Sequence, residues 1–289
     1  MRRSLLFIPA NNPGMLQSAN VYPADGIIFD LEDAVSVDQK DSARNLLKNF
    51  LKEFTLTKEV IVRINALDTP FFNADLDAVV SNKLDTIMLP KASVKTIKQL
   101  IEILKVKEQV NKVDKPIKII PIIEEASAVL EIEEIVKQER ITGLLLGAED
   151  LTKDMEIERT KSGEEIFYPR SKIAYAAKAF NLDAIDTPFT DVFDNEGLKK
   201  DCLKAKSLGL NAKAAIHPNQ IEIINNSFSP TKDQITYAKK VMLAAESNTS
   251  GVFSLDGKMV DKPIIERSKK ILEKARKYDL LWLIYQRAI

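Results

Sequence analysis

The sequence is poor in several features that define whole classes of protein. Its 289 residues include a single cysteine, Cys202, which excludes an intrachain disulfide framework and a cysteine-rich zinc site. Lys and Arg together number 42, as do Asp and Glu, so no net charge draws the protein towards nucleic acid or an anionic membrane. We therefore expect neither as a partner, and we interpret Cys202 as a packed thiol on a helix rather than a nucleophile.

Long apolar runs and glycine-rich loops are also missing. No segment approaches the roughly 18 apolar residues of a membrane span. The apolar run near the start, Leu5 to Ile8, stops at Pro9 and is shorter than the apolar region of a signal peptide. We therefore expect a cytoplasmic protein. The chain has nine glycines, and none of them forms a G-x-G-x-x-G or Walker phosphate loop.

What the sequence does contain is a regular alternation of short apolar segments and helical patterns. The helical patterns, such as 40–54 and 94–110, place apolar residues three and four positions apart. Most of the apolar segments are continuous in Ile, Leu and Val, as in strands covered on both faces. Eight strands are predicted, at 3–10, 26–32, 59–65, 86–90, 118–124, 143–150, 182–189 and 211–218.

Eight strands alternating with helices predict a TIM (β/α)₈ barrel with extra C-terminal helices. A doubly wound open sheet is the alternative, but it would ordinarily show a glycine-rich phosphate loop after its first strand. We assign the barrel to residues 1–218. Residues 219–289, with helices at 231–247 and 262–286, are predicted to form an extension that packs on the barrel or on a neighbouring subunit.

Polar residues follow the ends of the predicted strands, where the active sites of such barrels lie. Each one alone is explained as a helix cap or a solvated loop charge, and Asp33 or Asp150 could cap the following helix. Their recurrence at seven strand ends favours a shared polar site. The residues are Asp30, Glu32, Asp33, Arg63, Lys91, Glu124, Glu149, Asp150, Asp186, Lys213 and His217.

The residue types at these positions indicate the chemistry. Several carboxylates around one opening repel each other unless a cation neutralises them, and oxygen ligands without a Cys or His cluster suit Mg²⁺. Arg63 offers a planar fork for a carboxylate or an enolate oxygen. His217 is the sole histidine, with either a structural or a catalytic role. Lys91 and Lys213 are the only candidates for Schiff-base chemistry.

A series of motifs, in order along nearly the whole chain, resembles the citrate lyase beta subunits of the HpcH/HpaI aldolase superfamily. The motifs are "RRSLLFIPANNPGML", "DGIIFDLEDAV", "VRIN", "IMLPKA", "PIIEEA", "LLLGAEDLTKDM", "AIDTPFTD", "AKAAIHPNQI" and "GKMVDKP". The resemblance implies a TIM barrel that forms homotrimers or larger assemblies such as hexamers. It also implies a Mg²⁺-dependent enzyme that breaks a carbon–carbon bond.

The resemblance also implies roles for individual residues. Glu124 in "PIIEE" and Asp150 in "GAED" match the two metal ligands, and Glu124 is also expected at the substrate. Arg63 in "VRIN" matches the substrate-binding arginine and is a catalytic candidate. Glu32 and Asp33 match the "LED" acids, which help to hold water at the metal and shape the site. Asp261 in "GKMVDKP" matches an aspartate that completes a neighbouring subunit's site.

The reaction implied is cleavage of a citryl thioester, on an acyl carrier protein or CoA, to oxaloacetate and an acetyl thioester. Citrate lyase alpha and gamma subunits are then possible partners. Two alternatives stay open. One is a stand-alone citramalyl-CoA or malyl-CoA lyase, whose strand-end residues serve the same chemistry. The other is a non-catalytic scaffold subunit, although the complete set of Glu124, Asp150 and Arg63 argues against it.

Overall fold

The computed structural model describes residues 1–248 and 252–281. The chain separates into two compact units, Met1–Ser227 and Phe228–Ile289. The first unit contains a closed barrel of eight parallel strands in sequential order, which confirms the predicted fold. The strands are Ser4–Pro9 (β1), Gly26–Asp30 (β2), Glu59–Arg63 (β3), Thr86–Leu89 (β4), Lys118–Ile123 (β5), Gly143–Leu146 (β6), Asp183–Asp186 (β7) and Ala212–Ala215 (β8).

Helices connect the strands and cover the barrel with their apolar faces. The second helix, for example, buries Ala43, Leu47 and Phe50 at the spacing of one helical face. The helices are Pro13–Gln17 (α1), Lys40–Glu53 (α2), Phe72–Val79 (α3), Val94–Val110 (α4), Ala126–Ile135 (α5), Ala148–Asp154 (α6), Phe167–Ala179 (α7), Asn195–Leu208 (α8) and Gln220–Phe228 (α9). Within the described ranges, no helix is both long and apolar enough to cross a bilayer.

In its described residues, the second unit contains two helices and a β-hairpin between them. Its elements are Lys232–Ser247 (α10), Phe253–Leu255 (β9), Lys258–Val260 (β10) and Lys262–Lys277 (α11). The sequence analysis missed the hairpin, although its Asp256-Gly257 turn, with φ of 51° and 75°, is a typical hairpin signal. The predicted last helix was too long, since α11 ends at Lys277 and positions 282–286 lie outside the described residues.

The barrel is filled by side chains that alternate along each strand. The buried cluster inside it, here called the barrel core, consists of Leu5, Ile28, Ile61, Met88, Ile120, Ile122, Leu145, Ile185, Ala212 and Ala214. Since side chains of a strand alternate between its two faces, the positions two residues beyond a core residue face the same interior. At the carboxyl ends of the strands these positions form what we call the mouth layer: Asp30, Arg63, Glu124, Gly147 and Thr187.

The sixth strand is shorter than predicted. Strand β6 ends at Leu146, Gly147 is the N-cap of α6, and both Glu149 and Asp150 lie in the first helical turn. The prediction of a strand over 143–150 was therefore wrong at its end. Acidic side chains are favoured in the first turn of a helix, because the helix dipole places partial positive charge there.

Two of the predicted strand-end residues, Asp186 and Lys213, do not belong to the mouth. Each is adjacent to a barrel core residue, so it faces the surrounding helices instead of the interior. They form a buried charge cluster with Arg170 of α7 and Asp201 of α8. Lys213 Nζ lies 2.5 Å from Asp186 Oδ2 and 2.6 Å from Asp201 Oδ2, and Arg170 binds both aspartates at 2.7–2.9 Å. The cluster is therefore structural.

Loss of one cation from this cluster should destabilise the fold strongly. Lys213→Met leaves two buried aspartates with Arg170 alone, and breaking a buried ion pair costs about 3–5 kcal/mol. Urea unfolding measures this loss of free energy. The exposed Lys199 of α8 provides the matched control, Lys199→Met, which should unfold like the wild type. A Lys213→Met variant as stable as that control would contradict the structural role.

Candidate active site

Arg63 and Asp30 form the anchored pair of the mouth. The last residues of β3 and β2 pair across the sheet, which places the two side chains side by side. Arg63 donates from Nε to Asp30 Oδ1 at 2.7 Å and from Nη2 to Asp30 Oδ2 at 2.6 Å. Asp30 is buried, and its oxygens also accept from the backbone N–H groups of Glu32 and Ala34. Such a two-pronged ion pair fixes the plane of the guanidinium.

The third nitrogen of Arg63 meets the acids of the loop after β2. Its Nη1 lies 3.1 Å from both Glu32 Oε2 and Asp33 Oδ2. The guanidinium also lies 5.0 Å from the ring centre of Phe7, a cation–π distance. Asp33 is exposed at 68%, whereas Glu32 is largely buried at 16%. Arg63, Glu32 and Asp33 thus lie together, with Nη1 as the nitrogen not bound to Asp30.

Glu124 is held by backbone on two sides. Its Oε1 accepts a 2.6 Å hydrogen bond from the N–H of Lys91, a residue in the left-handed conformation with φ of 45°. A Cβ atom at Gly147 would lie 2.6 Å from Glu124 Cβ and 2.9 Å from Glu124 Oε2. Glycine at 147 is therefore required for the close approach of this carboxylate to the start of α6.

Asp150 follows Gly147 by three residues, at the start of α6. It is exposed in the first turn of α6, and its charge contributes to raising the pKa of Glu124. Its neighbour Glu149 turns to Arg159 instead, with Oε1 3.5 Å from Arg159 Nε. The structure thus separates the two adjacent acids, and Asp150 is the one in electrostatic contact with Glu124.

Two acids of this site, Glu32 and Glu124, have strongly raised pKa values. Burial raises the pKa of Glu32 to about 8, opposed by Arg63 and reinforced by the charges of Asp33 and Glu124. Burial also raises the pKa of Glu124 to about 7, where the Lys91 hydrogen bond opposes it and Asp150 reinforces it. Both carboxyls therefore change protonation near neutral pH, as acid–base or metal-binding groups do.

The donor set fits Mg²⁺. In the described part of the chain no three Asp, Glu, His or Cys side chains are gathered around one point. Two carboxylates, with the other positions taken by substrate oxygens and water, are nevertheless the usual protein share of a Mg²⁺ site. Glu124 and Asp150 provide this pair, and their mutual repulsion would be relieved by a cation between them.

The remaining candidates have other hydrogen-bond partners or contribute other atoms. His217 is exposed and bonds Asn219 in the turn after β8, with 2.7 Å between Nδ1 and Oδ1. Asp261 is the N-cap of α11, where Oδ1 accepts from the N–H of Ile264 at 3.2 Å. Lys91 contributes its backbone, while its side chain is exposed. Cys202 is buried, as predicted, and burial raises its pKa to about 12.

A closed (β/α)₈ barrel whose mouth gathers four acids around one anchored arginine defines a TIM-barrel enzyme. The family model described as HpcH/HpaI aldolase/citrate lyase matches residues 3–218. The chain therefore belongs to the HpcH/HpaI aldolase/citrate lyase family.

Two relatives illustrate the range of that family. The citrate lyase subunit beta of Leuconostoc mesenteroides is 38% identical, over 95% of this chain and 93% of its own length. The mitochondrial citramalyl-CoA lyase of Rattus norvegicus is 30% identical, over 94% of this chain and 85% of its own.

Solved structures of similar proteins contain ligands. The CitE protein of Mycobacterium tuberculosis, in complex with magnesium, acetoacetate and coenzyme A, is 30% identical with a TM-score of 0.78, covering 95% of this chain and 98% of its own. A citrate lyase beta subunit from M. tuberculosis, complexed with oxaloacetate and magnesium, is 31% identical with a TM-score of 0.67, covering 79% and 97%.

Replacement of Glu32 should stabilise the protein in a pH-dependent way. A carboxyl with a pKa of about 8 in the fold and 4.5 when unfolded has no effect on stability below pH 4.5, and it destabilises the fold increasingly up to pH 8. Glu32→Gln removes that penalty. Its free energy of unfolding should equal the wild-type value near pH 4.5 and exceed it by on the order of 2–4 kcal/mol near pH 8.

Urea unfolding at several pH values checks this. Asp68→Asn, at an exposed acid in the loop after β3, serves as the control and should track the wild type. If the difference between Glu32→Gln and wild type stays constant with pH, the raised pKa of Glu32 is wrong.

Proposed function

We propose that the protein is a Mg²⁺-dependent carbon–carbon lyase, which cleaves a citryl thioester to oxaloacetate and an acetyl thioester. The observation that carries the proposal is the Glu124–Asp150 pair beside an arginine anchored by Asp30. The relative complexed with oxaloacetate and magnesium supports both the metal and the product. The thioester is carried by an acyl carrier protein or by CoA.

Glu124 and Asp150 would hold the metal. When bound, Mg²⁺ supplies a Lewis acid that lowers the pKa of the substrate's tertiary hydroxyl. Glu124 must be ionised to serve as a ligand, and its Oε1 is kept in place by the Lys91 N–H. The Gly147 backbone leaves room for Oε2 at the start of α6. Glu124 is in this way oriented before substrate arrives.

Arg63 would stabilise the charge that develops as the carbon–carbon bond breaks. The hydroxyl proton passes to water, the new carbonyl forms on the oxaloacetate side, and the electron pair of the broken carbon–carbon bond moves onto the thioester as an enolate. Arg63 Nη1, shared with Glu32 and Asp33, is the donor that can turn to this oxygen or to a substrate carboxylate. Glu32, protonated below about pH 8 before the metal binds, shapes the site beside it.

The enolate carbon must finally take up a proton to give the acetyl thioester. Asp261 of a neighbouring subunit's C-terminal extension is proposed as the acid, so the extension, residues 219–289, would pack on a neighbouring subunit. The proposal includes a homo-oligomer, trimer or hexamer, in the cytoplasm. Citrate lyase alpha and gamma subunits are proposed partners, supported by a relative named as a subunit of citrate lyase.

A second candidate is cleavage of citramalyl-CoA to pyruvate and acetyl-CoA. It is supported by the citramalyl-CoA lyase from rat, which matches over 94% of this chain. The same metal pair and arginine would serve, because only the group on the hydroxyl-bearing carbon differs. The higher identity to a citrate lyase subunit favours the citryl thioester.

The activity is tested with purified protein, Mg²⁺ and citryl-CoA, coupled to malate dehydrogenase. Oxaloacetate release should consume NADH. Arg63→Lys, which lacks the planar fork, should lower kcat by about 100-fold or more. Pyruvate from citramalyl-CoA, with none of the oxaloacetate signal, would favour the second candidate. If the protein neither binds Mg²⁺ nor cleaves any of these thioesters, the scaffold subunit becomes the better interpretation.

Mg²⁺ affinity should depend on pH through Glu124. Below a pKa of about 7 the metal must displace a proton from this carboxyl, so the association constant should rise about tenfold per pH unit and level off above pH 7. Isothermal titration calorimetry measures it. Glu124→Ala and Asp150→Ala should each abolish binding, whereas Glu149→Ala, at the adjacent acid paired with Arg159, should retain it. Wild-type affinity in either of the first two variants would refute the site.

A further inference from the structure

The loop that carries Glu32 and Asp33 has few backbone constraints of its own. It connects β2 to α2, and its regular structure is a single turn of 3₁₀ helix at Val37–Gln39. From the barrel side, Asp30 accepts from the N–H groups of Glu32 and Ala34. These bonds orient two N–H groups. Of the two carbonyls in question, that of Glu32 accepts from the Val35 N–H at 3.1 Å, and further contacts hold both it and the carbonyl of Leu31.

Lys40, the first residue of α2, provides those contacts. Its Nζ donates to the carbonyl oxygens of Leu31 at 2.7 Å and Glu32 at 2.6 Å. The residue is only 6% exposed, which is rare for lysine because burial of an ammonium is costly. Its ammonium also lies 5.8 Å from the ring centre of Phe71. The lysine is therefore a buried clamp on the backbone of the acidic loop.

A second group of buried side chains also binds the Leu31 carbonyl and fixes α2. Asn65 donates from Nδ2 to the Leu31 carbonyl at 2.9 Å, and Asp75 accepts from Asn65 Nδ2 at 2.6 Å. Asp75 also binds Arg44, one turn after Lys40 on α2, at 3.0 Å. The helix that carries Lys40 is thus itself fixed to the end of β3, close to Arg63 in the sequence.

Two cations therefore hold different parts of this loop. Arg63 contacts the carboxylates of Asp30, Glu32 and Asp33, and Lys40 contacts the carbonyls of the peptide groups that carry them. Rotation of the Leu31 or Glu32 peptide would move the Glu32 carboxyl relative to Arg63 Nη1. Asn65 and the Val35 N–H each bind one of these carbonyls, and Lys40 is the side chain that binds both, so it opposes such a rotation at two adjacent peptides. An apolar side chain of the same length could not do this.

We propose that Lys40 is a positioning residue of the lyase reaction. By binding the Leu31 and Glu32 carbonyls, it holds the Glu32 carboxyl beside Arg63 Nη1. The inference rests on the proposed function. Lys40 has no contact with Glu124 or Asp150 among its hydrogen bonds in the described structure, so its effect should fall on turnover and not on metal binding.

The test compares Lys40→Met with Lys48→Met, a matched change at an exposed lysine two turns later on α2. For each we would measure kcat and KM with citryl-CoA, the Mg²⁺ dissociation constant by calorimetry, and the urea midpoint. Lys40→Met should lower kcat by about 100-fold, the usual effect of misplacing a reacting group by an ångström. KM and the Mg²⁺ dissociation constant should stay at wild-type values, and Lys48→Met should match the wild type throughout.

Wild-type kcat in Lys40→Met would overturn the inference while leaving the proposed function intact. So would a loss of activity that follows a weaker Mg²⁺ affinity or a raised KM. If Lys40→Met is unfolded under assay conditions, Lys40→Arg and Lys40→Gln replace it. The former keeps the charge and several donors and should retain more activity, and equal kcat in the two overturns the inference. An inactive wild type, with every thioester tested, overturns the proposed function and this inference together.

Discussion

Alternation of side chains along eight parallel strands is the constraint on which the site depends. The same parity that sends Ile28, Ile61 and Ile122 into the barrel core sends Asp30, Arg63 and Glu124 to the mouth two residues later. One residue earlier or later, a charge faces the helices instead. Asp186 and Lys213 show the result, because they are completely buried in an ion cluster with Arg170 and Asp201 of the surrounding helices. Strand register therefore determines which polar residues can act together.

The mouth gathers more acid than it can ionise without compensation. Asp30 avoids the problem, since Arg63 and two backbone N–H groups satisfy its oxygens. Glu32 and Glu124 lack such compensation, and burial raises the pKa of Glu32 to about 8 and that of Glu124 to about 7. Such groups destabilise the fold at neutral pH and are kept where they serve chemistry. A divalent cation at Glu124 would remove part of that repulsion.

The sequence predicted the barrel because six of the eight segments are continuous in Ile, Leu and Val, as in strands covered on both faces, and the weaker segments of β7 and β8 continue the same alternation with helices. It predicted the grouping of Arg63 with Glu32 and Asp33, partly through resemblance to a family. It could not distinguish Asp186 from Asp30, since both end a strand and only the register of the core residues separates them. The sequence analysis did not single out Lys40 from the 42 Lys and Arg residues, because burial of a helical lysine depends on contacts that no local pattern encodes. The hairpin at Asp256-Gly257 had a readable signal and was overlooked.

The two halves of the mouth are held by different means. On the β2–β3 side, Arg63 and Glu32 are positioned by side chains, from Asp30 within the barrel and Lys40 outside it. On the β5–β6 side, Glu124 is positioned by backbone, from the left-handed Lys91 and the bare Gly147. Substitution of Asp30 or Lys40 removes its hydrogen bonds directly, whereas the N–H of residue 91 can donate whatever its side chain is. The Arg63 half therefore depends on side chains from β2 and α2, whereas the Glu124 half depends on the turns that follow β4 and β6.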